Sequence, residues 1–279
     1  MGEIENPEKL PYNPHNTDIC TEALFDCVAE YDFIFSYLMF VVTSASRTDH
    51  VLKTTSLHIQ DKKLYETFSQ NLLFRRVQYY GPLLSRNVVT DLANNFLVYL
   101  SEILQTAAKT RPEILRSNER ITTEDILQFE NVSDIVSFIA DRKISELSYG
   151  GLRETERFIR DRLGLELFDN QDQRELLTIL VELRNIQTHN RGRINELFLK
   201  RIGDHSQSRF KFSKNETYQA DFDAIVLLSN NALEIAINLD EKIANKFRLS
   251  RSEFKSLYTK LRESRDVRLK KMPMAESIN

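Results

Sequence analysis

Glycine and proline are scarce in this chain: seven Gly and six Pro in 279 residues. So little turn chemistry argues against many-stranded sandwiches and against nucleotide-binding folds built on glycine-rich loops. The phosphate cradle G-x-x-x-x-G-K-[ST] is missing, because Gly150-Gly151 runs directly into "LRETERF". Cysteine is nearly absent as well. Cys20 and Cys27 fall seven residues apart in what reads as a helix, which separates their Cα atoms by roughly 10 Å, too far for a disulfide. Buried free thiols in a reducing compartment are the expectation. The histidines His15, His50, His58, His189 and His205 show no ligand spacing with Cys or paired carboxylates, so no metal and no other cofactor is expected. No G-x-S-x-G nucleophile elbow supports Ser-His-Asp chemistry.

Long apolar runs are also lacking. The most apolar stretch, "FIFSYLMFVV" at 33–42, has about half the length needed to cross a bilayer, and Asp26, Glu30 and Asp32 precede it. The first fifteen residues carry acids and prolines where a signal peptide would have basic and apolar regions. The expectation is a cytoplasmic protein with no membrane partner. A net charge of −3 rules out a global basic field, so a polyanionic ligand would have to be held by a local patch.

What is present is helical periodicity, and it reads as an all-α chain. Residues 1–16 form an irregular arm. A helical extension over 17–60 holds a first helix from Thr17 or Asp18 to about Ser46, with Leu24, Val28, Tyr31, Phe35, Leu38 and Val42 at helical spacing. A bundle over 61–248 follows. Its first helix, about 61–79, is stopped by Gly81 and Pro82, and its second runs from about 83 to 108. After a loop with one helical turn at Pro112, a helix is expected from Thr122 to about Leu147, then a short one from 152 to 163 that ends at Gly164. The polar stretch 203–221 reads as a mobile loop before a core helix at about 221–246. A charged helix and tail occupy 249–279.

The densest polar chemistry lies in "LRNIQTHNRGR", residues 183–193, inside a helix that starts after Asp169-Asn170. Leu176, Ile179, Leu180, Leu183 and Ile186 make its apolar stripe. Asn185 and His189 sit one turn apart on the other side, with Arg184 on the flank. The wet face of an amphipathic helix would look the same. Chemistry distinguishes the motif: Arg offers a planar fork of donors for phosphate, and His moves protons near neutrality. His189 falls in the last turn before Gly192, where the helix dipole favours imidazolium. In principle such a pair cleaves RNA without metal, by attack of the ribose 2′-hydroxyl on the adjacent phosphorus. Between Arg184 and Lys214 eight basic residues face Glu196 and Asp204, a local +6 in a chain of −3. Asn190, Arg191, Arg193, Lys200 and Arg201 are the candidate RNA contacts.

"RNIQTHN" resembles the signature of the HEPN superfamily (higher eukaryotes and prokaryotes nucleotide-binding domain): Arg, four to six residues, then His, with Asn, Asp or His directly after the Arg. Arg184, Asn185 and His189 fill the three positions. The resemblance implies an antiparallel helical bundle and a metal-independent endoribonuclease with these three as catalytic residues. It also implies a homodimer, an RNA substrate, and a toxin or antiphage setting with an antitoxin or defence partner. The alternative it allows is a non-catalytic module that binds RNA or nucleotide, or that mediates protein interaction. HEPN toxins silenced by nucleotide transfer often carry a Tyr two residues after the His. Arg191 stands there instead, so that form of silencing is not implied. The helical wheel points independently to a dimer, since a motif on a convex helix face needs a second surface to make a cleft.

Overall fold

A computed structural model describes residues 18–55, 70–116 and 122–271. The arm at 1–16 and the extreme C-terminal tail lie outside the described residues. The chain is mostly helical. A strand β1 (Ile19–Cys20) leads into α1 (Glu22–Thr55), then α2 (Gln70–Thr110), a 3₁₀ turn (Pro112–Leu115), α3 (Thr123–Leu127) and α4 (Val132–Gly150). Helix α5 (Leu152–Phe158) continues into a π-helical turn (Ile159–Leu163), followed by α6 (Gln171–Asn190), α7 (Glu196–Phe210) and α8 (Phe222–Phe247). A second short strand, β2 (Ser252–Glu253), precedes α9 (Phe254–Lys271).

Among the described residues the chain divides into two compact units. One gathers the described residues of 28–98 and 168–235; the other gathers those of 18–27, 99–167 and 236–271. From Val28 onward, the helix read as an N-terminal extension therefore belongs to the unit that holds the motif helix.

In the second unit, β1 and β2 pair antiparallel, Ile19 opposite Glu253 and Cys20 opposite Ser252. This pair was not legible in the sequence, because two residues show no alternation. Thr21 caps α1: its Oγ1 accepts from Leu24 N at 3.2 Å and donates to Asp240 Oδ1. Asp240 Oδ2 also accepts from Thr21 N at 3.2 Å. Burial holds the Asp240 carboxyl above its ordinary range, against the lowering effect of the Thr21 hydrogen bonds. Cys20 sits in β1 rather than in the helix, and both cysteines are buried and outside any disulfide. Burial pushes the Cys27 thiol up to about 12 and Cys20 to about 11, so neither supplies thiolate at neutral pH.

Several helix boundaries differ from the periodicity, α1 among them, which starts at Glu22 and runs on to Thr55 rather than ending near Ser46. Gly81 and Pro82 do not end a helix, since α2 runs through them. Proline removes one helical hydrogen bond, but Ser85, Val88, Val89, Leu92 and Ala93 are all buried on the following turns, and packing of such a face outweighs one lost bond. The expected helix from Thr122 is broken at 128–131, where Asn131 starts a new one by accepting from Asp134 N at 3.0 Å. Pro112 and Gly164 behave as read: the first opens the 3₁₀ turn, and the second closes the π turn in the left-handed region at φ 59°.

Among the described residues, Phe222–Phe247 alone has the length and hydropathy of a membrane span. Its apolar face is core: Ile225, Leu228, Leu233, Ile235, Leu239 and Ile243 are buried.

Candidate active site

Helix α6 begins where an Asn can cap it. Asn170 is extended, and its side chain accepts from Gln173 N at 2.9 Å. The apolar stripe is buried as its spacing requires, with Leu176, Ile179, Leu180, Leu183 and Ile186 all under 5% exposed. The buried arc is wider than that stripe, because Leu177 and Val181 are buried too. Arg184 lies one and two turns below them and shares their side of the helix. On this flank it is half-buried.

Its guanidinium is held at two points. Nε donates to Asn94 Oδ1 on α2 at 3.0 Å, and Nη1 donates to Asn185 Oδ1 at 3.3 Å. No carboxylate pairs with Arg184 among the described residues. His189 stands roughly 140° away round the helix and is exposed. Asn185 is the link, accepting from Arg184 on one side and lining the same cavity as His189 on the other.

That cavity corrects the convex-surface reading. Asn185, Ile186 and His189 from α6 face Asn195, Leu197, Phe198 and Arg201 across a space of about 310 Å³. Helix α7 forms the opposing wall because the chain reverses sharply after Asn190. Arg191 and Gly192 both take the left-handed region, at φ 53° and 77°. Gly192 N bonds Ile186 O at 2.9 Å, and Asn190 Nδ2 bonds Arg193 O at 2.6 Å. Asn195 then caps α7 by accepting from Phe198 N at 2.8 Å.

The stretch read as a mobile loop holds this turn in place. Residues up to Phe210 complete α7, with a kink at Gly203 (φ 78°, ψ 165°). Beyond it, Ile194 N bonds Glu216 O at 2.9 Å, Asn215 N bonds Ile194 O at 2.9 Å, and Tyr218 N bonds Gly192 O at 3.1 Å. Phe212 is the buried anchor, with Phe198 and Tyr218 packed edge-on to its ring at 5.0 and 4.6 Å. A single buried aromatic among polar neighbours carries too little periodicity to be seen in sequence.

Gly192 is required in this turn. A Cβ there would approach Gln187 Oε1 to 2.7 Å at a φ that L-residues seldom adopt. Gly192→Ala is expected to cost roughly 1–2 kcal/mol, read as a lowered denaturant midpoint with an unchanged slope. An unaltered midpoint would show that the turn relaxes freely.

The basic cluster is partly neutralised by ion pairs, two of them with acids outside residues 184–214. Arg201 Nη1 donates to both Glu182 oxygens at 3.0 Å, Arg209 pairs with Asp172 at 2.6 Å, and Lys214 pairs with Glu196. Glu182 and Asp172 lower the local excess from +6 to +4. Arg191, Arg193, Lys200 and Lys211 are exposed, and no ion pair involves them among the described residues. Asn190 and Arg201 line the cavity beside His189. Asn94, Glu182 and Asn195 were missed in sequence. Asn195 carried a signal, an N-cap type ahead of "ELFLKRI", while Asn94 and Glu182 carried none.

No group of three or more His, Cys, Asp or Glu capable of holding a metal occurs among the described residues. The chain matches no family model, no curated protein and no solved structure.

Proposed function

We propose that this protein is a metal-independent endoribonuclease of the HEPN kind, built on a HEPN-like bundle and acting on RNA in the cytoplasm, with Arg184, Asn185 and His189 as its catalytic residues. One observation carries the reading. Arg184 is a half-buried cation without a carboxylate partner among the described residues, tied by hydrogen bonds to a residue that lines a cavity with an exposed His. Guanidinium groups held out of bulk water are ordinarily paired, and an anion supplied by the substrate completes this one.

The mechanism follows from the geometry. Asn94 and Asn185 engage Nε and Nη1 and leave Nη2 for a phosphate oxygen. His189, at the negative end of α6, takes the proton of the attacking 2′-hydroxyl, and the leaving 5′-oxygen takes up that proton from the imidazolium. Attack of the 2′-oxygen on the adjacent phosphorus forms a cyclic phosphate and releases a 5′-hydroxyl. Asn190 and the exposed Arg191, Arg193 and Lys200 flank the site and guide the strand, with Arg201 held in the wall by Glu182. A role as a toxin or antiphage component, alongside an antitoxin or defence partner, belongs to the same proposal.

The test is incubation of purified protein with labelled RNA; substrate left intact by wild-type protein under all conditions removes the reading. The active species in this proposal is a homodimer that sets two motifs side by side, with the exposed edges of His189, Arg191 and Arg193 turned to a shared groove. Sedimentation at micromolar concentration is expected to show a dimer. A monomer with full specific activity would refute the shared groove, while leaving the intrachain cavity as the site.

A further inference from the structure

We infer that the cavity between α6 and α7 seats a single unpaired base of the RNA, next to the scissile phosphate; this rests on the ribonuclease reading. The cavity has the wrong charge for phosphate and the right polarity for a heterocycle. Glu182 lies in its wall and is bound by Arg201, so that pair is neutral overall. Phosphate-binding charge lies elsewhere, on Arg184 at the other side of Asn185 and on the exposed Arg191 and Arg193.

The amides in the wall are already oriented. Asn185 Oδ1 is taken by Arg184, which leaves its Nδ2 as a donor. Asn195 Oδ1 is taken by Phe198 N, which leaves its Nδ2 as a donor. Asn190 Nδ2 is taken by Arg193 O, which leaves its Oδ1 as an acceptor. Donors and an acceptor around one small cavity match the mixed edge of a nucleobase, which a phosphate does not offer. Leu197 is 54% exposed although it lines the cavity, and it supplies the apolar surface on which a flat ring can lie. About 310 Å³ is at the small end for ligand sites, with room for one base and not for a base pair. Single-stranded RNA, whose bases can be splayed out, is the substrate class this selects.

Binding of short 2′-O-methyl oligoribonucleotides tests the inference, because they lack the attacking hydroxyl and remain intact. Each oligonucleotide carries one abasic position. The wild-type protein is expected to lose about tenfold in affinity at one position and much less at the others. Leu197→Ala and Asn195→Asp should each remove most of that discrimination. Asp still accepts from Phe198 N as an N-cap, so Asn195→Asp takes away the donor and keeps the helix start. Equal affinity for every abasic oligonucleotide, or discrimination unchanged in both variants, overturns the base site. Discrimination without any cleavage of ordinary RNA overturns the ribonuclease reading instead and leaves the base site standing.

Discussion

His189→Ala is expected to lower RNA cleavage by roughly 10²–10⁴-fold, the usual contribution of one positioned acid–base group, with the unfolding transition unmoved. The side chain is exposed, and surface substitutions shift stability by no more than about 0.5 kcal/mol. Arg184→Ala should be as damaging to cleavage but not as silent in stability. It removes the hydrogen bond to Asn94 and leaves that amide without its partner, which costs about 1 kcal/mol. Single-turnover rates and thermal melts on the same preparations separate the two effects. Cleavage retained in His189→Ala, or a large fall in its melting temperature, would assign the histidine a structural role.

Leu183→Ala should do the reverse. Leu183 precedes the arginine in sequence, yet it is fully buried in the core face of α6. Truncating such a leucine leaves a cavity and costs about 2–5 kcal/mol, a large part of the total stability of an ordinary domain. Cleavage by the fraction still folded should stay near wild type below the new melting temperature. Chemical denaturation gives the stability, and initial rates at low temperature give the activity. A small loss of stability would mean that the packing round Leu183 collapses to fill the space.

The contrast between adjacent residues also shows where sequence reading succeeds. The stripe from Leu176 to Ile186 was legible because burial of one face imposes a spacing, and the Asn170 cap was legible because its chemistry is local. The flank position of Arg184 was legible, but not that Leu177 and Val181 extend the buried arc beside it, because how far an arc extends depends on the elements packed around it. The cavity was hidden for the same reason. It needs the reversal at Arg191 and Gly192 to be tied to Tyr218 and Phe212 to be packed on Phe198, contacts between residues distant in sequence. Pro82 misled because a local breaker was outweighed by tertiary packing. The Arg201–Glu182 pair was invisible because nineteen residues separate its members. The Arg–His spacing, by contrast, could be read directly.

The most direct test of the account is the fate of a defined single-stranded RNA in excess EDTA, with the ends of the products identified. Cleavage should proceed without divalent metal and leave a 2′,3′-cyclic phosphate and a 5′-hydroxyl, the ends that follow from attack by the neighbouring 2′-hydroxyl. His189→Ala should produce neither. Cleavage lost in EDTA and restored by magnesium, or products bearing a 5′-phosphate and a 3′-hydroxyl, would contradict the mechanism.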